Sequence, residues 1–287
     1  MASAMARFDS EIGRLALAEL PDAEALVAEA GWNQVAPDWR MFLDFGTVYA
    51  VRDAARVFAT AATLPYGRCA WISMVLVAGT HRRRGLATRL LRRCIDDIQA
   101  AGLVPVLDAT PAGAKVYAPL GFQAAWSFSR FASPQPSIKP LTASIAVHRI
   151  DDSAWPALCA YDAAVFGADR SRILARMRGR LPPANLYSER DGRITGLLLG
   201  REGRTASHLG PLIAEDDVTA LALLGRALSR IDGPVYVDLA DAKPAVRAWL
   251  EASGFAAQRP FTRMLLGRAR SFDDVARTYA VIGPEFG

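Results

Sequence analysis

The chain has 287 residues, 52% of them hydrophobic and 22% charged, which supplies enough apolar side chain for a folded core and excludes a disordered polymer. At about twice the ~150 residues of an ordinary domain, its length predicts two domains. The net charge of +5 is carried almost wholly by arginine, with only Lys115, Lys139 and Lys243 as lysines; it permits an anionic ligand but is mild for a nucleic-acid binder.

No run of 18 apolar residues occurs, so no membrane span is expected, and the first twenty residues lack a secretory pattern. Cys69, Cys94 and Cys159 are odd in number, far apart and outside any C-x-x-C or metal-ligand spacing. They point to a reducing compartment, so the cytoplasm is the expected location.

In chain order, RLALAEL (residues 14–20) reads as a strand. PDAEALVAEA has helical spacing, opened by Asp22 and closed by Gly31. TVYAV and RVFATAATL form a hairpin-like pair, and AWISMVLVA is a strongly apolar strand. A basic, glycine-interrupted turn leads into a helix over residues 88–100, ended by Gly102. VPVLDA is the next strand, AGAKVYAPLG a short helix, and AAWSFSRFA a strand. Helices alternate with strands around a mixed sheet, so the expected class is α/β (α+β). Residues 132–144, ASPQPSIKPLTAS, read as a linker and divide the chain into 1–137 and 138–287.

The second part repeats the ending of the first. Gly121-Phe122 is followed after five residues by Phe128-Ser129-Arg130, and Gly254-Phe255 after five by Phe261-Thr262-Arg263. Each copy follows a Val-rich strand ending in aspartate, VPVLD or PVYVD, and a short helix. A tandem duplication explains this better than chance.

The most informative segment is Val75-Leu76-Val77-Ala78-Gly79-Thr80-His81-Arg82-Arg83-Arg84-Gly85-Leu86-Ala87-Thr88. A strand runs into a turn whose small residues, Gly85 and Ala87, admit a bulky group to the backbone, and a helix begins at once. The first amides of that helix lack internal acceptors, which makes a preformed anion site. Neither G-x-x-x-x-G-K-[ST] nor a strand-borne G-x-G-x-x-G occurs, so a nucleoside triphosphate or dinucleotide lacks its residues.

R-x-x-G-x-A at Arg82, Gly85 and Ala87 resembles the acetyl-CoA loop of the GNAT superfamily of N-acetyltransferases. Tyr117, four residues before Gly121-Phe122, stands where that superfamily carries its tyrosine. Gly31-Trp32-Asn33, Ala70-Trp71-Ile72 and the ending Gly-Pro-Glu-Phe-Gly at residues 283–287 look more narrowly like a bacterial tandem-GNAT group. The resemblance implies two GNAT-like domains, each with a mixed, mostly antiparallel sheet flanked by helices, the first binding acetyl-CoA and the second divergent. It further implies transfer of an acetyl group to a primary amine of a small molecule by direct attack in a ternary complex. A CoA-binding regulatory protein without turnover is the alternative.

By the same resemblance, the backbone N–H of Val75 polarises the acetyl carbonyl, Val77 pairs through its backbone with the pantetheine arm, and the amides of Arg83, Arg84, Gly85, Leu86, Ala87 and Thr88 hold the pyrophosphate, with Leu76 and Arg82 also among the cofactor-binding residues. Thr110 stands where relatives carry an asparagine, and Tyr117 protonates the departing thiolate, a phenol of pKa near ~10 being in range of a thiol near ~8.5. Asp44, Asp108 and Ser73 are base candidates by location alone, and none is assigned.

His81 is expected to be solvated, and His148 and His208 isolated; with no metal-ligand spacing, no metal is expected. The arginine run lacks interleaved aromatics, so no nucleic acid is expected, and the chain is expected to be a monomer or homodimer. In the second copy Glu215-Asp216-Asp217 replace the basic loop and Leu250 the tyrosine, so that copy is expected to complete the acceptor site rather than bind cofactor. The Phe166–Arg170 loop would read a zwitterionic acceptor or be a plain helix cap at Asp169, and the apolar tail would pack back on the protein.

Overall fold

The computed structural model describes residues 11–53, 56–139 and 145–287. The elements run β1 (Ile12–Arg14), α1 (Leu20–Ala30), α2 (Ala36–Phe45), β2 (Thr47–Asp53), β3 (Arg56–Tyr66), β4 (Cys69–Val77), α3 (Leu86–Ala100), β5 (Val104–Ala109), α4 (Pro111–Tyr117) and β6 (Phe122–Ser133). They continue with β7 (His148–Arg149), α5 (Trp155–Phe166), α6 (Ser171–Met177), β8 (Leu186–Arg190), β9 (Arg193–Arg201), β10 (Ser207–Ala214), α7 (Asp217–Leu228), β11 (Val235–Ala240), α8 (Pro244–Ala252), β12 (Ala256–Leu266) and β13 (Thr278–Ala280). The class is α/β, with a mostly antiparallel sheet and helices on its faces, as expected.

The start of the chain departs from the sequence reading. The strand ends at Arg14, and residues 17–19 form a 3-10 turn leading into α1, because Pro21 is accommodated in the first turn of a helix but not within a strand. Asp22 therefore lies inside α1, where its carboxylate accepts the amide of Val57 across a gap of 2.9 Å instead of capping. Helix α2 is not foreseen by the pattern; its buried Trp39, Met41 and Phe42 sit beside a buried Asp38, which interrupts the apolar stripe. Helix α3 begins two residues earlier than expected, directly after Gly85.

The strands form one thirteen-stranded sheet among the described residues, in the order β1-β2-β3-β4-β5-β12-β6-β11-β13-β10-β9-β8-β7. The two repeated Gly-Phe strands are exchanged. β12 pairs with β5 of the first copy, β6 pairs with β11 of the second, and the two lie antiparallel to each other. The repeated phenylalanines face each other in the register, Phe261 opposite Phe128, their rings stacked at 5.1 Å. Equivalent positions thus meet at the centre of a pseudo-two-fold arrangement. The linker inferred from residue 132 starts two residues later, because Ala132 and Ser133 still pair in β6 with Tyr236 and Val235, and its residues 140–144 lie outside the described residues.

The repeated Arg and Asp pair across the exchanged strands. Arg130 on β6 grips Asp238 on β11 through two hydrogen bonds of 2.8 and 2.7 Å, and Arg263 on β12 grips Asp108 on β5 through two of 2.9 and 3.0 Å. Each copy's arginine neutralises the other copy's strand-end aspartate, and all four residues are buried. A bidentate guanidinium-carboxylate pair fixes orientation as well as charge.

A second tie runs through Asn33, 2% exposed. Its Oδ1 accepts the amides of Thr205 and Ala206 and the Thr205 hydroxyl, while Nδ2 donates to the Ala206 carbonyl. Asn33→Ala should leave these buried groups unpaired and cost about 1–3 kcal/mol. A denaturant titration checks this, and an unchanged midpoint would show that the tie contributes nothing.

Candidate active site

The segment that carries the site starts in β4. Its parallel pairing with β5 stops at Trp71, and its antiparallel register with β3 skips between Ser73 and Leu76. Met74 sits there at φ 51, a bulge conformation, and the Thr60 hydroxyl donates to its carbonyl over 2.9 Å. Val75 therefore has no partner in either ladder, at the place where β4 and β5 have ceased to pair.

The turn after β4 curls its amides inward. Arg83 at φ 62 and Gly85 at φ 76 both take the left-handed conformation, which aims successive N–H groups into one concavity at the start of α3. Glycine at 85 adopts this at no steric cost. Val75, Leu76, Val77, Arg82, Arg83, Gly85, Leu86, Ala87 and Thr88 line a groove of about 590 Å³, closed on its other side by Glu29 and Trp32. Arg82 is tied back, its Nε donating to the Val77 carbonyl at 3.0 Å and its guanidinium 3.4 Å from Glu29. Arg84 lies outside the groove and donates to the Thr80 carbonyl.

A second cavity, of about 340 Å³, adjoins the groove; Trp32 and Val75 line both. Tyr117 and Thr110 line this cavity and not the groove. Burial pushes the Tyr117 phenol above its ordinary range, so it stays protonated at neutral pH. Gly113 makes room for the ring, since a Cβ there would lie 2.9 Å from Tyr117 Cε2. The Thr110 hydroxyl accepts the Gly113 amide at 3.2 Å, so it serves as the cap of α4.

Second-copy residues complete the cavity: Tyr236, Gln258, Arg259, Phe261, Pro284 and Glu285. The tail does pack back, with Ile282 and Phe286 fully buried. Phe286 stacks on Phe42 at 4.9 Å.

Of the base candidates, Asp108 is committed on both oxygens to Arg263 and also accepts from Trp71 Nε1, while Asp44 pairs with Arg176 away from the cavity. Ser73 alone faces it without such ties. His81 is not solvated: its ring stacks on Phe58 at 4.1 Å. Nor is His208 isolated. It is buried, with Nε2 3.1 Å from Asp238 and the Arg201 guanidinium 3.4 Å from Nδ1, and burial lowers its pKa so that the ring is neutral. The Phe166–Arg170 loop stays away from the cavity, Asp169 capping at the Ser171 amide and Arg170 locked to Asp162. Among the described residues, no cluster of three or more His, Cys, Asp or Glu is placed to hold a metal ion, and no helix is long and apolar enough to cross a membrane.

At the matching helix start of the second copy, Asp216 caps α7 by accepting the Thr219 amide at 2.8 Å. A carboxylate there occupies the place an anion would need. Leu250 is fully buried.

Residues 17–122 match a family model described as the acetyltransferase (GNAT) family, and residues 158–280 match one described as an acetyltransferase (GNAT) domain. YitH of Bacillus subtilis, an uncharacterised N-acetyltransferase, is 26% identical over 238 residues, covering 80% of this chain and 82% of its own. The fold resembles that of a Pyrococcus horikoshii protein provisionally named an acetyltransferase, with a TM-score of 0.79 at 17% identity, over 100% of this chain and 99% of the other. It also resembles a tandem GNAT protein from the clavulanic acid biosynthesis pathway, with a TM-score of 0.61 at 14% identity, over 90% of this chain and 98% of that one.

Proposed function

The chain belongs to the GNAT N-acetyltransferases and carries two of their domains in tandem, and on that premise we propose that it transfers the acetyl group of acetyl-CoA to a primary amine of a small molecule. The observation that carries this reading is the junction at Val75 and Trp32 of a groove ending on free helix amides with a cavity holding Tyr117. The amides of Arg83 and of Gly85 to Thr88 hold the pyrophosphate, and the Val77 backbone runs beside the pantetheine arm. The amide of Val75, without a ladder partner, donates to the carbonyl oxygen as charge develops there.

Tyr117, protonated at neutral pH, gives its proton to the thiolate. The second copy contributes walls of the acceptor cavity rather than a second cofactor site. A cavity open beside Val75 favours turnover over a CoA-binding protein without turnover.

Ala87→Glu tests the groove. Ala87 is exposed, and a carboxylate in the first turn of a helix does not destabilise it, so the melting temperature should hold. Acetyl-CoA affinity, measured by titration calorimetry, should fall roughly ten- to hundredfold through repulsion of the phosphates. Unchanged affinity would place the cofactor elsewhere.

A further inference from the structure

Three residues that line the acceptor cavity each carry a buried side-chain oxygen that finds no hydrogen-bond partner among the described residues: Gln34 Oε1, Ser73 Oγ and Glu285 Oε2. Their residues are 7%, 9% and 3% exposed. Each such atom, left unpaired, costs about 1–3 kcal/mol, so three around one space mark a site built for a ligand. All three can accept, and a primary ammonium offers three N–H donors and no acceptor.

Glu285 is anchored by its other oxygen, which pairs with Arg201; Arg201 also pairs with Asp38, Asp38 with Arg180, and Arg180 with the half-exposed Glu202. The buried part of this network, two guanidinium groups and two carboxylates, is balanced, so Glu285 is held in place while Oε2 stays uncommitted. Asp108 and Arg130 on the same wall are taken up by Arg263 and Asp238.

Resting on the acetyl-transfer reading above, we infer that Gln34, Ser73 and Glu285 seat the acceptor as its ammonium form and that Glu285 is the catalytic residue that takes its proton. The acceptor is thereby an aliphatic primary amine, charged at neutral pH, with an apolar or aromatic body against Trp32, Tyr236 and Phe261. One ammonium proton passes to Glu285 Oε2 and on to water. The freed lone pair forms the N–C bond to the acetyl carbonyl, and the C–S bond breaks. The thiolate takes the Tyr117 proton, and the second nitrogen proton restores Tyr117. The balance is one amide, one thiol and one proton released.

Thiol release from acetyl-CoA across a panel of aliphatic and aromatic primary amines tests this, with the full chain, Glu285→Gln and Gln34→Leu, beside calorimetric titration with acetyl-CoA. Turnover should be confined to aliphatic amines, and kcat/KM at neutral pH should fall at least about 100-fold in Glu285→Gln with acetyl-CoA affinity unchanged. Its residual rate should climb about tenfold per pH unit toward the amine pKa near ~10, since only amine already neutral in solution reacts. A merely structural role would lower the rate equally at every pH.

Gln34 lies outside the ion network, so Gln34→Leu keeps the inference testable where Glu285→Gln fails to fold; it should raise KM more than it lowers kcat. Variants within a few-fold of the parent chain, a preference for aromatic amines, or acetyl-CoA binding with no amine turned over would each overturn the ammonium seat. Absence of acetyl-CoA binding by the parent chain overturns instead the acetyl-transfer reading beneath it.

Discussion

Tyr117→Phe is expected to lower kcat by about 10²- to 10⁴-fold while acetyl-CoA affinity stays within about threefold. The phenol lines the acceptor cavity, where burial raises its pKa, and among the described residues no hydrogen bond competes for its proton. Phenylalanine keeps the ring contact with Phe122, whose centroid lies 6.1 Å away, and keeps the space above Gly113. The variant therefore removes one proton and little else. Single-turnover thiol release beside calorimetry separates the two quantities, and turnover equal to that of the parent chain would assign the thiolate's proton to water.

Asp238→Ala is expected to destabilise the protein by about 3–5 kcal/mol, because it leaves Arg130 buried without its carboxylate and His208 without its neighbour. The pair holds β6 in the second copy's sheet, so the loss should also weaken the strand exchange. Burial alone would raise the Asp238 carboxyl, but the charge of Arg130 and its two hydrogen bonds hold it well below the usual carboxylate range. A carboxyl depressed in the folded state contributes stability that is fully present above its unfolded pKa of about 3.9 and is lost as pH falls toward the folded value. Chemical denaturation between pH 7 and pH 3 should thus show a fall below about pH 4 in the parent chain that is smaller in Asp238→Asn. Equal acid sensitivity in both would remove Asp238 as its source.

Much of the groove could be read from the chain because it is local. A strand, a turn with Gly85 and Ala87, and a helix start are contiguous, and backbone amides at a helix start need no distant partner to become an anion site. Tyr117 was legible through its fixed spacing to Gly121-Phe122. The loss of the equivalent features in the second copy was equally plain, since Glu215, Asp216 and Leu250 stand where the repeat would carry them.

The charged side chains behaved otherwise. Asp108 looked like a candidate base from its place at a strand end, but its partner Arg263 is 155 residues away. His208 looked isolated until β11 brought Asp238 beside it.

By itself, the sequence determined the class of fold, the duplication, the inequality of the two copies and the groove, all carried by short-range patterns of apolar residues, glycines and charge. Tertiary structure alone decided that the repeated strands change places and that Gln34, Ser73 and Glu285 share one cavity. The physical reason is that a buried charge or polar atom is defined by the partner that neutralises it, and here those partners lie on strands and a tail that only folding brings together.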